Sequence, residues 1–230
     1  MTGSAAASRH ESFAHSWRSR RVEWIPPAAN DLFLIRLRDR RTMLIGIFAD
    51  SHDHLDNIRR AVDVFNSSGC ELVVFAGDLV SSFAVPPLRR LNCDVIACFG
   101  DNEGNKPGVT AGMRIVGTIG EPPFCFKTRD GKKVLLMHME RTLRGLEGEF
   151  DIAVYAHSHK PSITRDEQGR LYINPGETSG WSHGRPSVAL LDTETMQASI
   201  VYLTAGQATS FASESETYPE ADDAPDGSPF

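Results

Sequence analysis

Between residues 43 and 203 the chain alternates short apolar runs with polar punctuation, and the period of each run indicates the element it forms. Leu44–Phe48, Leu72–Phe75 and Val95–Phe99 are continuous apolar runs of strand length, the pattern of strands buried on both faces. Between the first two, Leu55, Ile58, Val62 and Phe65 recur at helical spacing, which predicts a helix over Leu55–Phe65 with Asp53 as its N-terminal cap and Gly69 as its stop. A second helix is expected from about Pro86 to Leu91, since Pro86-Pro87 suits a first helical turn. From Phe124 onward the pattern becomes one of strands: Phe124–Thr128 and Lys133–His138 joined by the turn signal Arg129-Asp130-Gly131, then Ile152–Ala156, Ser162–Arg165, Leu171–Asn174, Ser187–Leu191 and Ala198–Leu203. The first half is βαβ-like, and periodicity alone predicts a mixed α/β fold.

Five of the apolar runs are followed by residues of metal-ligand type: Asp50-Ser51-His52, Gly77-Asp78, Gly100-Asp101, His138 and His157-Ser158-His159. Each block alone also reads as an ordinary feature, Gly-Asp as a turn or cap and His-x-His as a surface pair. Their recurrence in one order changes the weighting, because sites of α/β sheets form outside the carboxyl ends of strands. Strands ending in this way point three carboxylates and four imidazoles into one crevice. An extended Asp-x-His or His-x-His also places both side chains on one face. Such a mixed nitrogen and oxygen set suits two adjacent divalent cations of the manganese, iron, nickel or zinc kind.

These blocks resemble the signature of the calcineurin-like metallophosphoesterases, most closely their small bacterial and archaeal phosphodiesterase branch: Asp-x-His, Gly-Asp, Gly-Asn-(His or other)-(Asp or Glu), His, and Gly-His-x-His. The resemblance runs from about Met43 to Leu203 and includes Asn174-Pro175-Gly176-Glu177. It implies a four-layer α/β/β/α sandwich of two mixed sheets flanked by helices. It also implies one metal held by Asp50, His52 and His159, a second held by Asp101, His138 and His157, and Asp78 shared between them. Two divalent ions, manganese foremost with iron, nickel or zinc as alternatives, then activate a bridging hydroxide that attacks a small phosphoester in line, without a covalent enzyme intermediate.

The chain departs from the family pattern at Asp101, where Asn is usual, at Asn102, where many phosphatases of the fold carry His, and at Ala156, where Gly is usual. Asn102 is a poor proton donor, so the leaving group is expected to take its proton from water, which favours activated leaving groups. Glu103 reads either as orienting Asn102 or a metal-bound water, or as an exposed loop carboxylate. Asn174-Pro175-Gly176 reads as a turn closing the site or as a substrate contact, Arg141 as a phosphate ligand or a solvated residue, and Trp181 as a base-stacking ring or loop packing. His54 is placed in the cleft, and His10, His15 and His183 at the surface. The expected activity is that of a phosphodiesterase, with a phosphomonoesterase as the alternative. A non-catalytic interaction module, as in the retromer subunit that shares the fold, is the alternative outside enzymes. Retention of all seven ligand types favours the enzyme.

Composition narrows the setting. The 230 residues are 40% hydrophobic and 23% charged, with net charge −6 and no run long enough to cross a bilayer. Cys70, Cys93, Cys98 and Cys125 lack C-x-x-C spacing, and three sit in or beside apolar strands where cysteine behaves as a small hydrophobe, so no disulfide framework is expected. No apolar secretory core follows Arg18, Arg20 and Arg21, and a cytoplasmic location is the expectation. The negative balance argues against a long nucleic acid as partner and leaves a small phosphoester. Residues 1–42 are expected to be an N-terminal extension, an arm or an over-extended start; 43–204 the metallophosphoesterase domain; and 205–230 an acidic disordered tail, poor in the large apolar residues that offset ordering entropy.

Overall fold

The computed structural model describes residues 42–143 and 150–203. The expectations for the N-terminal extension and the acidic tail lie outside these residues. The described chain builds two mixed sheets with flanking helices. The first contains β1 (Leu44–Phe48), β2 (Leu72–Ala76), β3 (Val95–Cys98), β4 (Gly117–Gly120), β10 (Ser187–Asp192) and β11 (Gln197–Tyr202), in the order β11-β10-β1-β2-β3-β4. The strands β1 to β4 run parallel; β10 pairs antiparallel with β1, and β11 pairs antiparallel with β10. The second sheet, in the order β5-β6-β7-β9-β8, holds β5 (Phe124–Lys127), β6 (Lys133–Met139), β7 (Ile152–Ala156), β8 (Ser162–Arg165) and β9 (Leu171–Asn174). Here β6, β7 and β9 are parallel, and the edge strands β5 and β8 are antiparallel.

Alternation along the strands decides the layers. Ile45, Ile47, Val74, Ala76, Cys98 and Ala189 on one side meet Val134, Leu136, Ile152, Val154, Leu171 and Ile173 on the other, forming one buried cluster between the sheets. Phe48, Val73, Phe75, Val95 and Val188 point to the opposite face of the first sheet. There they pack on Ile58, Val62 and Phe65 of α1 (Leu55–Ser68), Val85 and Leu88 of α2 (Val85–Leu88), and Val109 and Met113 of α3 (Lys106–Met113). The outer face of the second sheet carries a smaller cluster of Leu135, Met137, Phe150, Ala153 and Tyr155.

Two local expectations are corrected, and two elements were not anticipated. The second helix is shorter and earlier, a 3-10 turn at Ser82–Ala84 running into Val85–Leu88, with Pro86 and Pro87 in its first turn. The cap of α1 is His54, whose side chain accepts from Asn57 N; Asp53 turns away and accepts from Ser81 N at 3.1 Å. Both α3 and β4 escape the apolar pattern: α3 carries Pro107, Gly108 and Gly112, and β4 is bounded by Gly117 and Gly120, so neither presents a run long enough to register.

Candidate metal and active site

All seven candidate ligands converge where the carboxyl ends of β1, β2, β3, β6 and β7 meet, so both sheets contribute. The groups Asp50, His52 and His159, then Asp101, His138 and His157, and also Asp50, Asp78 and His138 each gather ligand atoms within 4.8 Å of one another. Most of these residues lie beyond the strands. Asp50, His52, Asp78, His157 and His159 have φ values of 49°, 40°, 65°, 70° and 62°. The expected extended Asp-x-His and His-x-His are therefore corrected: left-handed turns just past the strands, not strand alternation, aim these pairs. His138 differs again, since it sits inside β6, where the pairing with β7 shifts register between Leu136 and Met139; such an irregularity re-aims a side chain.

The glycines of the two Gly-Asp blocks have a steric reason. A Cβ at Gly77, which has φ 99°, would stand 2.5 Å from His138 Nδ1, and one at Gly100 would stand 2.1 Å from Asp78 Oδ1. The ring of His138 is nearly fully buried. Its Nδ1 donates to the Ala76 carbonyl at 2.7 Å, which leaves Nε2 facing Asp101 Oδ1 at 2.8 Å, Asp78 Oδ2 at 3.5 Å and Asp50 Oδ1 at 3.9 Å. Half-exposed His157 turns Nδ1 toward Asp101 Oδ1 at 3.2 Å. On the other side His52 Nε2 and His159 Nε2 approach to 3.4 Å, and His52 Nε2 lies 3.6 Å from Asp78 Oδ2. The crevice thus has an Asp50-His52-His159 side and an Asp101-His138-His157 side, with Asp78 reaching both.

Two features fit cations here. Asp50 is fully buried, yet its Oδ1 has no hydrogen-bond partner while lying 3.8 Å from His159 Nε2; a buried carboxylate oxygen left this way is costly unless an ion completes it. Second, His138 and His159 turn Nε2 inward while Nδ1 is held by the Ala76 carbonyl and by Glu177, the arrangement that orients histidine toward a metal. Electrostatics agree with crowding of charge. Burial pushes the Asp50 carboxyl up to about 7, against the pull of His138 and His159. Burial also works to raise Asp78, but the His138 contact and the two Asn102 hydrogen bonds outweigh it and hold Asp78 well below the usual carboxylate range. For His138 burial lowers the pKa, and contact with Asp78 more than reverses this, raising it to about 9. Burial lowers His52.

The two catalytic readings of the Gly100–Glu103 block are revised. Asn102 donates to both oxygens of Asp78, from its backbone N to Oδ1 at 2.9 Å and from Nδ2 to Oδ2 at 2.8 Å, so it clamps that carboxylate. Glu103 accepts from the backbone N of Asp78, Leu79 and Gly100 at 3.0, 3.3 and 2.8 Å. It braces one ligand loop against another, which is neither of the roles the sequence suggested. Asn174 closes the site as a turn, with Oδ1 accepting from Gly176 N and Nδ2 donating to Ser158 Oγ. Arg141 is exposed in a 3-10 turn.

Sequence reasoning gave Glu177 no role. This fully buried carboxylate accepts from Ser182 N and His183 N, takes the Ser179 hydroxyl at 3.2 Å, and meets His159 Nδ1 at 2.9 Å. Burial raises its pKa, but the backbone donors and His159 pull it down overall. The only signal in the sequence was its place directly after Asn174-Pro175-Gly176.

Two mixed sheets whose strand ends gather carboxylates and imidazoles in one crevice have the architecture of a metal-binding hydrolase. The chain belongs to the calcineurin-like phosphoesterase superfamily, whose domain model matches residues 43–196. It is 33% identical over 159 residues to Phosphodiesterase MJ0936 of Methanocaldococcus jannaschii, covering 66% of this chain and 94% of that protein. Among solved structures, an archaeal phosphodiesterase superposes with a TM-score of 0.66 at 31% identity, over 70% of this chain and all of the other. The phosphoesterase YfcE from E. coli shares the fold, with a TM-score of 0.53 at 19% identity over 70% of this chain and all of the other. The chain is thus a metal-dependent phosphoesterase by family and by the ligand groups it presents.

Proposed function

We propose that the chain is a phosphodiesterase that hydrolyses a small phosphoester with two divalent cations, manganese foremost. In this reading Asp50, His52 and His159 hold one ion, Asp101, His138 and His157 hold the other, and Asp78 serves both. The observation that carries it is the unpartnered buried Oδ1 of Asp50 between the imidazoles of His138 and His159, in a crevice whose ligand groups lie on both sides of Asp78. The relative named a phosphodiesterase supports the diester. Once bound, the cations supply Lewis acidity, polarising phosphoryl oxygens and acidifying water.

The chain's own residues hold this chemistry in place. Asn102 keeps both Asp78 oxygens oriented, and the Ala76 carbonyl and Glu177 keep the rings of His138 and His159 turned inward. With Asn102 committed to Asp78, it offers no proton to a leaving group, so esters of acidic alcohols or phenols are the favoured substrates. The four cysteines are free, which suits the reducing conditions of the cytoplasm.

Asp78→Asn against His159→Ala tests the assignment. Asp78→Asn is expected to empty both positions and abolish turnover of bis(p-nitrophenyl) phosphate, whereas His159→Ala loses about half the metal and less of the rate. Metal content and rate are read on the same samples. An Asp78→Asn protein that keeps both metals and near-normal turnover overturns the bridging role.

A further inference from the structure

We propose that Trp181 is a stacking platform that selects phosphoesters bearing a planar aromatic group, an aryl or nucleobase ring, a role that presupposes the phosphoesterase reading above. Three large apolar side chains are exposed among the described residues: Phe83 at 77%, Ile115 at 62% and Trp181 at 71%. Phe83 sits on the 3-10 turn before α2, and Ile115 follows α3. Trp181 lies on a loop that touches a candidate ligand, because the hydroxyl of its neighbour Ser182 is 2.9 Å from His159 Nδ1.

That loop is tied down on every side. Thr178 N and Ser179 N donate to the Ala49 and Asp50 carbonyls at 2.9 and 3.1 Å, and Asn57 Nδ2 donates to the Ser179 carbonyl at 2.9 Å. Buried Glu177 gathers Ser182 N and His183 N beyond the tryptophan, and Gly184 N closes onto the Gly180 carbonyl at 3.0 Å. The indole also meets the His54 ring edge-on, at 5.8 Å and 79°. His54 is itself held as the cap of α1. A ring on so constrained a backbone is preorganised, and little conformational entropy is lost when a ligand covers it. Packing does not account for it, since most of its surface faces water. A planar substituent on the phosphorus bound beside His159 is the partner this surface fits: it covers apolar area and offers a π face for offset stacking.

The test uses the full chain loaded with manganese and four probes: AMP, phenyl phosphate, ribose 5-phosphate and methyl phosphate. In calorimetry the wild type is expected to bind the first two more tightly than their ringless counterparts. Trp181→Ala should weaken AMP and phenyl phosphate about five- to thirtyfold while moving the ringless pair by less than about twofold, and Trp181→Phe should retain part of the preference. In turnover the loss should fall on KM for bis(p-nitrophenyl) phosphate more than on kcat. Weakening of AMP alone narrows the ligand to a nucleobase; weakening of both ring-bearing probes supports the wider aryl class. Equal effects on all four probes, or none, overturn the platform. A wild-type protein that takes up no metal and binds no phosphate overturns the phosphoesterase reading instead, and metal content measured alongside separates the two failures.

Discussion

Asp50, His52, Asp78, His157 and His159 place non-glycine side chains in the left-handed region, a conformation that costs on the order of 1–3 kcal/mol per residue. Glycine would relieve each position and remove its ligand, so this strain belongs to the site's construction. The loops hold it with hydrogen bonds such as Ser51 N and His52 N to the Asp78 carbonyl at 3.1 and 3.0 Å and Asp50 N to the Gly77 carbonyl at 3.0 Å. The crowding has a consequence for pH. His138, with its pKa raised to about 9, carries a proton in the metal-free protein at neutral pH, and Asp50, raised to about 7, carries one below neutrality. In the proposed site metal displaces both protons, so apparent affinity is expected to rise with pH, most steeply below about 7 and flattening above about 9. Calorimetric titration with manganese in two buffers of different ionisation enthalpy measures the protons released, which should be more numerous at pH 6 than at pH 8. Affinity independent of pH across this range would place His138 and Asp50 outside the metal shell. Candidate ligands could be named at this scale because their residue types are chemically distinctive, whereas Glu177 could not: its contact comes from burial against a histidine 18 positions away.

At the scale of elements, the strands read from the sequence have boundaries within about a residue; for the central ones the reason is that burial on both faces leaves no alternative to hydrophobic residues. Leu44–Phe48, Ile152–Ala156, Ser162–Arg165 and Leu171–Asn174 appear with the bounds their patterns indicate. The ligand loops are another matter. They are short and polar, and their form depends on contacts between loops that follow different strands, which no local pattern records. Glu103 is the clearest case, one carboxylate collecting backbone donors from both the Asp78 and Gly100 loops. Glu103→Ala should therefore lower stability by about 2 kcal/mol, since three N–H groups lose their acceptor, and weaken metal binding together with it. Thermal unfolding of the metal-free protein reads the first effect and manganese titration the second. A loss of stability with unchanged metal affinity would show that the brace does not position Asp78.

For the whole molecule, the matched family domain spans residues 43–196 and the last described strand ends at Tyr202. A shortened protein comprising residues 43–204 is expected to stay folded and to keep its metal content and turnover. Loss of either on truncation would show that residues outside it complete the core or the site. None of the described helices is long and apolar enough to cross a membrane.

What the sequence determined by itself was the set of reactive groups and the scaffold order. Apolar runs decide strands because burying them is the dominant favourable term in folding, and five of the runs end near a candidate ligand. Tertiary structure alone decided how those groups are shared. Only when the two sheets stack do Asp50, Asp78 and His138 come together, and only then does Asp50 lose every hydrogen-bond partner for one oxygen. Asn102 becomes a clamp, Glu103 a brace and Trp181 an exposed ring for the same reason: each depends on what a distant segment leaves buried or uncovered, and sequence spacing carries no record of that.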